Sequence, residues 1–121
     1  MAKVLVVEDN TANQRLMRMI LEALGHEVEC ALTGEEGWAR VRGEPFALVL
    51  LDMHLPGLDG FTLCRRIKAL HGRAVKVLAV TALAMEGDRQ RVLECGCDDY
   101  LSKPVSVTEL RARIDGLLGT T

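Results

Sequence analysis

The chain is predicted to be an α/β protein, a (βα)5 arrangement in which a parallel sheet is covered by helices on both faces. Three observations carry this reading. Short apolar runs rich in β-branched residues occur at residues 4–7, 28–31, 47–51, 75–80 and 100–101. Segments with helical period separate them, the pattern of doubly wound βα units. The most polar residues then fall immediately after the runs, as they do where an open parallel sheet carries its ligands at the carboxyl ends of its strands.

The runs at 4–7 and 47–51 are apolar throughout, as expected of strands covered on both sides. The run at 100–101 is weak alone and gains its assignment from its place in the alternation. Leu16, Met17, Ile20, Leu21 and Leu24 fall on one face of a first helix, which Gly25 stops. Thr33 followed by Glu36, and Ser106 followed by Glu109, fit capping boxes and place helix starts near residues 34 and 107. A third helix is expected from Gly60, after a turn at Pro56 and Gly57, and a fourth from about Met85 to Cys95. Leu110, Ile114, Leu117 and Leu118 give the last helix its buried stripe, and Trp38 is expected to pack the second helix onto the sheet.

With 121 residues, 49% of them hydrophobic, and neither linker nor repeat, the chain reads as one domain over residues 1–121. Fifteen Lys and Arg against 17 Asp and Glu give a net charge of -2, with the two signs interspersed. That leaves no basic stripe for a nucleic-acid backbone, so no direct nucleic-acid partner is expected. The apolar run at 4–7 is too short for a signal-peptide core or a membrane span, which points to a cytoplasmic protein without membrane insertion. Cys30, Cys64, Cys95 and Cys97 lack paired CxxC spacing and read as reduced structural thiols. His26, His54 and His71 are scattered, and surface exposure is expected of them. The arginines, among them Arg66, Arg89, Arg91 and Arg113, read as solvated helix faces.

Glu8 and Asp9 follow the first run, Asp52 the third, Thr81 the fourth, and Lys103 with Pro104 the fifth. Three carboxylates gathered at one edge repel each other, and a hard divalent cation would relieve that repulsion. Glu8, Asp9 and Asp52 could supply the oxygen ligands that Mg²⁺ prefers.

These residues in this order, with Asp52 set in Leu-Leu-Asp-Met-His-Leu-Pro-Gly and with Thr81-Ala82 and Lys103-Pro104, resemble the receiver domains of bacterial two-component systems. The similarity runs along nearly the whole chain. It extends to residues 81–88 and 96–100, which look like stand-alone regulators and the receivers of hybrid histidine kinases. The resemblance implies a flavodoxin-like sheet in strand order 2-1-3-4-5. It implies that Asp52 accepts a phosphoryl group from a phosphohistidine, giving an aspartyl phosphate. Asp9 would be the principal Mg²⁺ ligand (Mn²⁺ serving in its place), joined by Glu8, Asp52 and the backbone carbonyl of His54. Lys103 would stabilise charge on the phosphoryl oxygens, and the bond from Lys103 to Pro104 would be the family's cis peptide. Thr81 would donate to the arriving phosphoryl group and act with Tyr100 as a switch. His54 and Leu83 would look out over the site and influence hydrolysis.

The partners so implied are a histidine kinase or histidine phosphotransferase and a downstream protein bound by the face of helix four, strand five and helix five. The chain would be a monomer or a phosphorylation-dependent dimer. It would be no enzyme beyond its own phosphorylation and slow dephosphorylation. The competing reading is a degenerate receiver that serves as a phosphorylation-independent scaffold, and the intact set Glu8, Asp9, Asp52, Thr81 and Lys103 argues against it. An aspartyl-phosphate phosphatase would carry a second Asp where His54 stands. A flavin protein would want a Gly-rich phosphate loop where Glu8 and Asp9 stand.

Overall fold

The structure, a computed structural model, describes residues 2–82 and 86–119, with the backbone alone described at 86–88. Expectations resting on Leu83 and Met85 lie outside the described residues. Five strands, β1 (Lys3–Val7), β2 (Glu27–Ala31), β3 (Leu48–Asp52), β4 (Lys76–Thr81) and β5 (Asp99–Ser102), alternate with five helices. The helices are α1 (Thr11–Ala23), α2 (Gly34–Gly43), α3 (Gly60–His71), α4 (Glu86–Glu94) and α5 (Val107–Leu118). The strands pair in parallel in the order β2-β1-β3-β4-β5, the flavodoxin-like order that the resemblance implied.

Alternation along each strand sends successive side chains to opposite faces. Val4, Val6, Leu48, Leu50, Leu78 and Val80 meet Met17, Ile20 and Leu21 of α1 and Leu110 and Ile114 of α5. Leu5, Val7, Val49, Leu51, Val77 and Ala79 meet Val41 of α2, Phe61, Leu63 and Ile67 of α3, and Val92 of α4. Two cores therefore sandwich the sheet, and all five residues of the central strand β3 are buried. Burial of this apolar surface is the main favourable contribution to the fold.

Each α-helix start with a described cap is closed by a side chain. Asn10 Oδ1 accepts from the Asn13 amide, Thr33 Oγ1 from Glu36, Asp59 Oδ1 from Thr62 and Ser106 Oγ from Glu109. Glu36 departs from a strict capping box, because its Oε2 accepts from the amide of Leu32, one residue before the cap.

Several expectations need correction. Leu16 is 44% exposed, because α1 turns Met17, Ile20 and Leu21 to the sheet and leaves Leu16 facing the segment of Pro104 and Val105. His26 is buried and accepts the Ala2 amide at Nδ1, so it is no surface residue. A 3₁₀ turn at Gly72–Ala74 lies between α3 and β4, and β5 spans four residues instead of two. The helix arginines Arg66, Arg89, Arg91 and Arg113 are exposed, as expected of solvated faces, and several make contacts there. Arg91 lies 4.5 Å from the Phe61 ring centroid, Arg42 and Arg66 flank the half-buried Trp38, and Arg113 pairs with Asp99.

Gly60 is set by close approach. A Cβ there would come within 2.5 Å of the Asp52 carbonyl oxygen and the Met53 Cα, so only glycine lets α3 start directly under the end of β3. By contrast, a Cβ on Gly116, in the exposed interior of α5, would meet nothing within 4 Å. Gly60→Ala is expected to destabilise the chain by about 1–3 kcal/mol through overpacking. Gly116→Ala is expected to stabilise it by about 0.5–1 kcal/mol through reduced unfolded-state entropy. Urea unfolding checks the pair, and the opposite ranking would contradict this packing.

Candidate functional site

The ends of four adjacent strands meet at one edge of the sheet. β1 runs into Glu8 and Asp9, β3 ends on Asp52, β4 ends on Thr81, and β5 leads into Lys103. Register aligns them, with Asp52 opposite Val80 and Thr81 opposite Ser102. Hydrogen bonds then fix the approach of each segment. The Lys103 amide donates to the Thr81 carbonyl at 2.8 Å, and the Lys103–Pro104 peptide is cis, as the resemblance implied. Gln14 of α1 reaches the carbonyls of Glu8 and Ala31 with its Nε2, holding α1 across the ends of β1 and β2.

Lys103 is the hub. Its Nζ donates to Glu8 Oε1 at 2.8 Å and to Asp52 Oδ2 at 3.3 Å. The other Asp52 oxygen, Oδ1, accepts from the backbone N–H of His54 at 3.0 Å. Glu8 is fully buried, Asp52 nearly so, and Asp9 is exposed at the rim. One carboxylate oxygen from each of the three acids lies within 4.8 Å of the others.

This crowding sets the ionisation of the site. Burial, and then the neighbouring Asp52 carboxyl, push Glu8 up to about 7, against the opposing pull of Lys103. Burial works to raise Asp52 as well, yet its sharing with Glu8, the His54 N–H and Lys103 together hold it below the ordinary carboxylate range. For Lys103, burial is outweighed by the hydrogen bond to Glu8 and the charge of Asp52, so its ammonium is held more firmly than usual. The pair therefore divides its labour: Asp52 carries the charge and Glu8 readily keeps a proton.

One atom is left over. Glu8 Oε2 is buried without a hydrogen-bond partner, alone in this among the described side chains. An unsatisfied buried acceptor costs about 1–3 kcal/mol, so the site is electrostatically incomplete with protein atoms only. The donor set is entirely oxygen, it carries excess negative charge, and it is open to solvent at Asp9. Such a set suits a hard divalent cation.

The sequence-predicted residues Glu8, Asp9, Asp52 and Lys103 thus converge. Thr81 lies buried at the neighbouring strand end. His54 offers its backbone to Asp52 while its side chain is exposed. Tyr100 stands apart from the acids. It pairs with Ala79, packs half-buried against the core on the α3 side of the sheet, and carries the Arg89 guanidinium 5.4 Å from its ring centroid. Sequence reasoning missed Gly60 and Gln14 as positioning residues. Nothing in their spacing separates a helix-start glycine from one pressed against the backbone of Asp52.

Comparison with known proteins agrees with this geometry. The family model described as response regulator receiver domain matches residues 4–115. The response regulator PleD of Caulobacter vibrioides is 40% identical over 117 residues, covering 96% of this chain and 26% of the relative. The signal transduction histidine-protein kinase BarA of Shigella flexneri is 39% identical over 108 residues, covering 88% of this chain and 12% of that kinase. The chain thus spans about a quarter of one relative and an eighth of the other. Among solved structures, the receiver domain of sensor histidine kinase PA1611 from Pseudomonas aeruginosa PAO1, determined with a magnesium ion coordinated in its active site cleft, superposes with a TM-score of 0.89. It is 35% identical, and the match covers 98% of each chain. No helix among the described residues is long and apolar enough to cross a membrane. A family match along nearly the full length, on a fold whose strand ends gather these acids around one lysine, places the chain in the response regulator receiver domain family of two-component signalling.

Proposed function

We propose that this receiver works as a phosphorylation switch, with Asp52 accepting a phosphoryl group from a phosphohistidine of a histidine kinase or histidine phosphotransferase. The observation that carries this reading is the environment of Asp52. It is a carboxylate held ionised at a strand end, with one oxygen fixed by the His54 amide and the other facing the Lys103 ammonium.

In the transfer, an Asp52 oxygen forms a bond to phosphorus as the bond from phosphorus to the donor imidazole nitrogen breaks, and the imidazole leaves with that electron pair. Because Asp52 stays ionised through the neutral range, it needs no separate base. Lys103 shifts part of its hydrogen bonding from the carboxylates to the phosphoryl oxygens, where charge builds during transfer and persists afterwards. Thr81 donates its hydroxyl to the same group. Mg²⁺, or Mn²⁺ in its place, held by Glu8, Asp9, Asp52 and the His54 carbonyl, would supply the positive charge that Lys103 alone lacks against three acids and a phosphoryl group. Glu8 Oε2 is the buried acceptor that this cation would satisfy.

Drawing Thr81 toward the phosphoryl group would shift Tyr100 and change the face of α4, β5 and α5, where the downstream protein would bind. The chain turns over no small molecule beyond accepting and slowly losing its own phosphoryl group. It acts in the cytoplasm, as a monomer or as a dimer formed on phosphorylation.

Incubation with acetyl phosphate and Mg²⁺ is expected to add one phosphoryl group per chain by mass. Asp52→Asn is expected to abolish the addition, and equal labelling of that variant would end this reading. Lys103→Ala is expected to slow phosphoryl transfer by about 100-fold while the protein remains folded, measured from a purified phosphodonor. Undiminished transfer would remove Lys103 from the mechanism. Cation affinity should depend on pH through Glu8. Below its value of about 7 the carboxyl holds a proton that the cation must displace, and above it the carboxylate is already formed. Apparent Mg²⁺ affinity is therefore expected to rise with pH up to about 7 and then level off, with the dependence flattened in Glu8→Gln. Calorimetric titrations across that range check it, and a flat wild-type profile would refute it.

A further inference from the structure

On the face of the sheet that carries α3 and α4, and independent of the phosphoacceptor reading, lies a second convergence of side chains. Cys64 comes from α3, and Cys95 and Cys97 come from the turn between α4 and β5. All three are free thiols and all are buried, at 0%, 4% and 7% exposure. Cys64 Sγ lies 3.2 Å from Cys97 Sγ, and Cys97 Sγ lies 3.5 Å from Cys95 Sγ. Gly96 makes this convergence feasible. Its φ of 100° reverses the chain, so two sulfurs one residue apart close on a third from another helix.

We propose that Cys64, Cys95 and Cys97 form a three-sulfur binding site for a soft, thiophilic cation of low coordination number, the class represented by Cu(I). The donor chemistry selects that class. No carboxylate or imidazole joins the sulfurs in this cluster among the described residues. Asp98, the acid next in sequence, is engaged by the Lys68 ammonium at 2.6 Å and the Val77 amide at 2.7 Å. Three thiolates without a fourth donor fall short of the tetrahedral set that structural Zn²⁺ takes. An all-sulfur set excludes hard cations and suits soft ones.

The size agrees as well. Three sulfurs each about 2.3 Å from a central ion stand about 4 Å apart, so the present contacts need open by only a fraction of an ångström. Besides their contacts with one another, the thiols donate to backbone carbonyls, Cys64 to that of Cys95 at 3.4 Å and Cys95 to that of Val92 at 2.9 Å. Binding replaces thiol protons, which leave to solvent. Within the cluster the bond shared with Cys95, with burial, pushes the Cys64 thiol up to about 12, the bonds to both neighbours push Cys97 up as well, and the bonds from Cys64 and Cys97 draw Cys95 down to about 3, so Cys95 offers the first thiolate and the cation displaces the protons of the other two. Cys30, on β2, lies in the other core and takes no part.

The test uses the full chain, reduced and free of oxygen, titrated with Cu(I) against a chromophoric chelator. One equivalent is expected to be retained, and X-ray absorption at the copper edge is expected to show three sulfur neighbours. Cys64→Ser and Cys97→Ser are expected to weaken retention by about tenfold or more, while Cys30→Ser leaves it unchanged. Two sulfurs or nitrogen and oxygen donors at copper, dependence on Cys30, or conversion of Cys64 and Cys97 to a disulfide with no copper retained would each overturn the proposal. The absorption measurement needs only the wild-type chain, so it decides the matter even if a serine variant fails to fold.

Discussion

A single ammonium group lies between two buried or nearly buried carboxylates that would otherwise confront each other at the carboxyl edge of the sheet. Lys103 bridges Glu8 and Asp52, and much of what is distinctive about the site follows from its being one charge among several. After the Glu8 hydrogen bond and the His54 amide, it helps Asp52 stay ionised at a position where burial alone would favour the protonated acid. It is nevertheless too little charge for three acids. The deficit appears in two places: in the proton that Glu8 keeps near neutrality and in the oxygen that finds no partner. The protein's own atoms thus leave the site short of positive charge.

The scaffold makes this arrangement affordable by confining it to the last residue or two of each strand. β3 is apolar from Leu48 to Leu51 and becomes charged only at Asp52, so the sheet interior bears no electrostatic cost. Gly60 and the Asp59 cap start α3 directly behind that residue, and Gln14 fastens α1 across the neighbouring strand ends. The acids are held by backbone elements packed on both sides, which is the rigidity that a site built on small distances requires.

Most of this organisation was legible in the sequence because the signals are local. Alternating apolar runs and helical periods reveal the βα units, and polar residues at the ends of runs reveal the edge where the site forms. Strand order and the cis peptide came through resemblance and are present in the structure. What escaped is what depends on contacts between distant segments. Leu16 fits the helical stripe of α1 yet faces outward, since a stripe wider than its contact leaves one margin uncovered. His26 looks like a surface residue until the Ala2 amide is found against its ring. Cys64 is about 30 residues from the pair it joins, and spacing rules that search for neighbouring ligands do not register it.

The bridge between Lys103 and Glu8 joins residues 95 positions apart, close to the two ends of the chain. During vectorial synthesis the first three strands and both acids would be available long before their counterion is made. Until β5 leaves the ribosome, no arrangement of the nascent segment can give Glu8 and Asp52 their shared cation, which penalises premature closure of that edge. The site is thereby tied to completion of the sheet, and a chain arrested before its fifth strand would carry Glu8 and Asp52 without the lysine that bridges them.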